Sequence, residues 1–147
     1  MNHQTNALPD SIAQFFHLLE QETAEGNFTA LAERFSETFL AASPYGAKIA
    51  QRSSFLQGLP ERKKFFDKFR ARPARLVALE ATALDARYTL AKSRWLLTFA
   101  RDGQEPQEVF ADSTYIVDTG EDPYRIILYL TSQDLPKVLA ERGLLPS

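Results

Sequence analysis

The chain has 147 residues, 44% hydrophobic and 24% charged, with no cysteine. This is ordinary globular composition for one domain with a core of its own, and it excludes disulfides and thiolate metal sites. Its 17 basic and 19 acidic side chains leave a formal net charge of −2, too little to draw the whole molecule to nucleic acid or anionic lipid. No apolar run approaches the ~18 residues of a membrane span, and the first ten residues lack the basic and apolar segments of a signal peptide. The sequence therefore reads as one soluble, cytoplasmic domain over 1–147, with a flexible tail over 1–9.

Ser11 to Gln14 has capping-box spacing, and Ile12, Phe15, Phe16 and Leu19 recur at helical spacing. Gly26 suits a left-handed helix end, and Asn27 caps a second helix with Phe28, Leu31, Ala32 and Phe35 on one face. Glu37 to Ser43 reads as a short strand stopped by Pro44 and Gly46. Residues 48–70 read as two short helices broken at Gly58 and Pro60. The period then changes to alternation. Strands are predicted around Val77–Ala83, over Tyr88–Arg101, Gln107–Asp118 and Tyr124–Thr131, with Asp102-Gly103 as a hairpin turn. Ser132 or Asp134 caps a last helix holding Leu135, Val138 and Leu139, which stops at Gly143. The fold class is α+β.

Side chains alternate across a strand. Symmetric turns pair Val77 with Trp95, Leu79 with Ser93, Ala81 with Ala91, Trp95 with Phe110, Ser93 with Asp112 and Ile116 with Ile126. One face then holds Val77, Leu79, Ala81, Trp95, Leu97, Phe99, Phe110, Asp112, Thr114, Ile116, Ile126, Leu128 and Leu130, and should pack on the helices. The opposite face pairs Glu80 with Lys92 and holds Arg94, Tyr115, Arg125, Ile127 and Tyr129. It is the expected homodimer surface.

The order of elements, with Gly26-Asn27-Phe28, Arg34 to Phe39, Ala42 to Gly46 and Pro123 to Ile127, resembles the nuclear-transport-factor-2-like superfamily, with its SnoaL-like and ketosteroid-isomerase-like members, over nearly the whole chain. The resemblance implies a cone with a cavity between curved sheet and helices, and often a homodimer. It does not imply one function. In isomerase-like members an aspartate stands where this chain has Ser43, and a tyrosine aligns with Leu19. A hydroxyl with no adjacent base is not a general base near neutral pH, so the isomerase chemistry is not expected here.

Asp112 is the candidate acid or base. On an apolar face beside Ser93, Trp95 and Leu130, its pKa should rise. The alternatives are a register error, or hydrogen bonding to Ser93 and Thr114 at the cavity rim. Trp95, Tyr45, Ser43, Ser93, Thr114 and Phe66 are the candidate ligand-binding residues, though Phe66 and Phe69 read first as core, and Trp95 and Tyr45 equally as either. His3 and His17 form no metal constellation, His17 reading as solvated. No cofactor motif is present. Arg62, Lys63, Lys64, Lys68, Arg70, Arg72 and Arg75 form a basic cluster. It reads as the solvated face of an amphipathic helix rather than an anion or nucleic-acid patch. Three functions stay open: a domain binding a small apolar ligand in the cone, an enzyme (isomerase, hydratase, cyclase or epoxide hydrolase) using Asp112, and a homodimeric interaction module.

Overall fold

The computed structural model describes residues 9–68, 71–100, 105–132 and 135–143. The expected tail (except Pro9), His3, Phe69, Arg70, the Asp102-Gly103 turn and the Asp134 cap lie outside them. Among the described residues, no helix is long and apolar enough to cross a membrane.

The first helix, α1 (Asp10–Glu25), buries Ile12, Phe15, Phe16 and Leu19 along one stripe, the face its periodicity indicates. It starts one residue before Ser11, and no side chain caps it. The Pro9 carbonyl instead accepts from the Ile12 and Ala13 N–H groups. Gly26, at φ 69°, ends the helix in the left-handed region where a Cβ is costly. The Asn27 side chain then accepts from the Ala30 N–H at 3.3 Å and opens α2 (Phe28–Ala32). That helix is short. Phe35 does not belong to it but begins β1 (Phe35–Ser43).

Two elements differ from the sequence reading after Ser43. A hairpin strand, β2 (Gly46–Gln51), pairs back on β1, with Ser43 opposite Gly46. Gly46 has φ 130°, the conformation that lets the chain reverse over Pro44 and Tyr45. The expected two helices are one, α3 (Arg52–Asp67), with Pro60 inside it. Pro60 removes one backbone hydrogen bond, but Phe55, Leu56 and Leu59 pack against the main core while Phe65 and Phe66 pack against a second cluster. Apolar packing at both ends of α3 keeps its two halves helical.

The strands β3 (Arg75–Ala83), β4 (Tyr88–Phe99), β5 (Gln107–Asp118) and β6 (Arg125–Thr131) form the expected antiparallel meander. The six-stranded sheet runs β2-β1-β6-β5-β4-β3, with β1 parallel to β6. Leu139 of α4 (Leu135–Glu141) is buried against Phe99 and Val109 and closes the second cluster.

The register holds for β3–β4, where Leu79 faces Ser93 and Ala81 faces Ala91. It shifts at Val77, an extra residue between the Leu76–Trp95 and Ala78–Arg94 pairs. The β4–β5 register is corrected by one residue: Ser93 faces Ser113, Trp95 faces Ala111 and Arg94 faces Asp112. The connection from Phe99 to Gln107 spans residues 100–106, an odd number, so the pairs are symmetric about position 103 and not about the Asp102-Gly103 bond. A one-residue slip turns every side chain of a strand over. Because β6 follows β5, Phe110, Asp112, Thr114, Ile116, Leu128 and Leu130 lie on the outer face, and Tyr115 and Tyr129 lie on the helix-covered one. Ile126 stays inside opposite Val117 because a bulge at Ile127 resets the register.

Candidate functional site

The helices do not fill the concave face of the sheet. Between α1, α2, α3 and strands β4–β6 lies a cavity of about 490 Å³. Its walls are largely apolar, with Leu19 from α1, Phe28 and Leu31 from α2, Phe55, Leu59 and Phe66 from α3, and Trp95 from the sheet. Each comes from the inward stripe of its element, so the periodicity that builds the core also lines the cavity.

Polar groups converge at the sheet side. Trp95 Nε1 donates to Ser93 Oγ at 3.0 Å, and Ser93 Oγ donates to the Ser113 carbonyl at 2.9 Å. Tyr115 stands beside this pair, packs on Phe16 at 5.1 Å and stacks on Tyr129 at 5.2 Å. Burial pushes its phenol pKa up, and Tyr129 adds to this. Hydrogen bonding to Ser93 and Trp95 and the positive charge of Arg62 pull the other way without reversing it. At neutral pH the phenol is therefore a neutral hydrogen-bond donor, a group suited to a ligand carbonyl or hydroxyl and not to removing a proton.

Arg62, Lys63, Asp67 and Arg72 border the same cavity. Lys63 and Asp67 pair at 2.9 Å. The Arg62 guanidinium lies 5.4 Å from the Phe66 ring centroid.

Of the residues named from sequence, Trp95 and Phe66 line this cavity and Ser93 anchors its polar floor. Asp112 borders it, but its carboxylate accepts from Arg94 Nε and Nη2 at 2.9 and 3.1 Å, both side chains about half exposed. Hydrogen bonding to Arg94 lowers its pKa, against the expected rise. The premise for an acid or base role at Asp112 thus fails, because Arg94 and not Ser93 stands opposite it. Thr114 lies on the outer face opposite Lys92 and Leu130. Ser43 accepts from the Tyr45 N–H at 3.2 Å within the β1–β2 turn, and Tyr45 is 78% exposed. Neither reaches the cavity. Tyr115 and Tyr129 move from the expected outer surface to its lining.

The sequence reading placed both tyrosines on the outer face and the two arginines on the solvated face of a helix. The signal for the tyrosines was present in the alternation Val109, Ala111, Ser113, Tyr115, Val117, since the other set of β5 carries Glu108, Asp112 and Asp118 beside Phe110 and Ile116, but the register assumed at Asp102-Gly103 overrode it. Among the described residues, no group of three or more His, Asp or Glu could hold a metal ion.

No protein-family model and no curated protein matches the sequence. Solved structures do match in shape. An NTF2-like protein with a cystatin-like fold from Novosphingobium aromaticivorans superposes with a TM-score of 0.70 at 13% identity, over 94% of this chain and 88% of that one. Aln2 from a Streptomyces species gives 0.68 at 13% identity, over 88% and 93%. ActVI-ORFA from Streptomyces coelicolor gives 0.66 at 17% identity, over 86% and 97%. At such identities the likeness carries the architecture alone. A curved mixed sheet, helices packed in its concavity and these neighbours together give the conclusion that the chain has the nuclear-transport-factor-2-like fold.

Proposed function

We propose that the cone binds one small, mainly apolar molecule, with its body against Phe28, Phe55, Phe66 and Trp95 and a carbonyl or hydroxyl towards Tyr115. The carrying observation is the cavity itself: about 490 Å³, apolar walls, and a few convergent polar groups at one end. Sites of this size and lining hold small ligands in many folds. Trp95 is the one tryptophan in the chain and lines the cavity, so its emission reports on occupancy. Titration with the neutral probe N-phenyl-1-naphthylamine should quench Trp95 saturably, one to one. Ala111→Phe, which pushes a ring into the cavity opposite Trp95, should abolish the effect while the protein stays folded. If the wild type shows no saturable quenching, the reading is wrong.

A second reading concerns assembly. The outer face carries a cross-strand row, Ile49–Leu40–Leu128–Ile116–Leu90, and beside it Phe110 and Leu130 are 46% and 36% exposed. The charges on this face balance, Lys92 and Arg94 against Glu80 and Asp112. That balance suits a second copy of the same chain. We propose that this face, through Arg94, Ile127 and the apolar row, forms a homodimer. Tyr115 and Tyr129 take no part in it. Phe110→Glu should turn a sedimenting dimer into a monomer. A wild type that sediments as a monomer at all concentrations would refute this.

A further inference from the structure

Of the cations bordering the cavity, Lys63 is neutralised by Asp67 at 2.9 Å, and the nearby Asp112 is taken by Arg94. Among the described residues, Arg62 and Arg72 pair with no carboxylate. They come from different segments, Arg62 from α3 and Arg72 from the stretch leading into β3, where its backbone N–H is fixed to the Thr98 carbonyl at 2.9 Å. Both border the same apolar cavity. Arg62 is exposed but borders the cavity, lies against the Phe66 ring, and is close enough for its charge to act on the Tyr115 hydroxyl. Two guanidinium groups at the edge of an apolar space leave a positive potential with no internal counter-charge. A guanidinium also presents a planar fork of donors that matches a carboxylate in a way an ammonium does not.

We infer that the ligand of this cavity is an apolar acid, a carboxylate-type anion held by Arg62 and Arg72 with its apolar body directed towards Trp95. This rests on the ligand-binding reading above and narrows it to a charge class. From sequence alone the basic cluster reads first as a solvated helix face and only second as an anion patch, because a basic run on an amphipathic helix usually faces water. Here the first helical turn after Pro60 carries Arg62 to the side of α3 that meets the cavity.

The test uses two probes with one ring system: N-phenyl-1-naphthylamine, which is neutral, and 8-anilinonaphthalene-1-sulfonate, which adds an anion. Both are titrated into the wild type, R62Q/R72Q and R62K/R72K, with Trp95 emission as readout and unfolding midpoints as a check on folding. The glutamine pair should weaken the sulfonate about tenfold and the neutral probe less than about twofold. The lysine pair, which keeps the charge but loses the planar fork, should fall between the wild type and the glutamine pair. Added salt should weaken the sulfonate alone. If the glutamine pair weakens both probes alike, or neither, the charge-class inference is overturned while the cavity reading stands. If neither probe binds the wild type, both fall.

Discussion

The phenol rings of Tyr115 and Tyr129 stack on the concave face of the sheet, 5.2 Å between centroids and 8° between planes. They are directly opposed residues of β5 and β6, and such aromatic pairs stabilise a sheet beyond the area they bury. The stack fixes the register of the two strands and forms part of the cavity wall, so fold and site depend on the same contact.

Tyr115→Ala should destabilise the protein by about 3–5 kcal/mol, because it removes a buried ring packed on Phe16 and Tyr129. Tyr115→Phe keeps the ring and loses one hydroxyl beside Ser93 and Trp95, which should cost about 1 kcal/mol. Urea unfolding of the two variants gives both values. Equal losses would mean that the hydroxyl, and not the ring, holds the site.

The pH dependence of stability should show the same residue. The folded state holds the Tyr115 phenol neutral, with its pKa raised above the ordinary 10.0 mainly by burial. Unfolding therefore releases a proton at high pH. The contribution is present in full below the unfolded value and lost as pH rises above it. The fall in wild-type stability between pH 8 and pH 11 should be smaller in Tyr115→Phe, as read from urea midpoints at the two pH values.

Asp118 is buried, and its carboxylate accepts from Arg87 Nε and Nη2 at 2.7 and 2.8 Å and from the Gly120 N–H at 2.9 Å. Arg87→Gln should destabilise the protein at pH 7, because it leaves the buried Asp118 carboxylate without its guanidinium partner, an effect moderated by the exposure of Arg87. Arg87 lowers the Asp118 pKa, so the pair stabilises above the unfolded value of 3.8 and its contribution is lost as pH falls through the lowered folded value. The deficit of the variant should therefore shrink near pH 2. Gly120→Ala places a Cβ 2.9 Å from the Arg87 side chain. Its cost should diminish in an Arg87→Ala background, a non-additivity that a double-mutant cycle detects.

Asp112→Asn should change stability by less than about 1 kcal/mol, since the Arg94 pair is about half exposed on both sides. Trp95 emission should not shift. A loss of several kcal/mol would mean that the carboxylate sits on the buried face.

Much of the architecture is legible in single residues. Ile12, Phe15, Phe16 and Leu19 mark the buried stripe of α1. Gly26 and Asn27 mark the joint to α2, because one tolerates a positive φ and the other offers a capping oxygen. The tight turn at Asp85–Arg87 fixes the β3–β4 register, since few residues leave few ways to pair. These are local properties, and a local pattern determines them.

Which face of β5 and β6 looks inward is not local. Val109, Ala111, Tyr115 and Val117 alternate with a set that mixes Phe110 and Ile116 with Glu108, Asp112 and Asp118, so composition leans towards burying the first set but does not by itself fix the register. The odd length of the connection at 100–106 decides it, together with the stacking of Tyr129 on Tyr115. The β2 hairpin and the parallel pairing of β1 with β6 likewise depend on partners distant in sequence. The sequence by itself determined most of the elements and their order, but neither the strand β2 nor the continuity of α3. Only the tertiary structure decided that the tyrosine pair faces the cavity and Arg62 borders it while Asp112 turns to Arg94, because a strand's facing is set by its neighbour's register and a helix's by what it packs against.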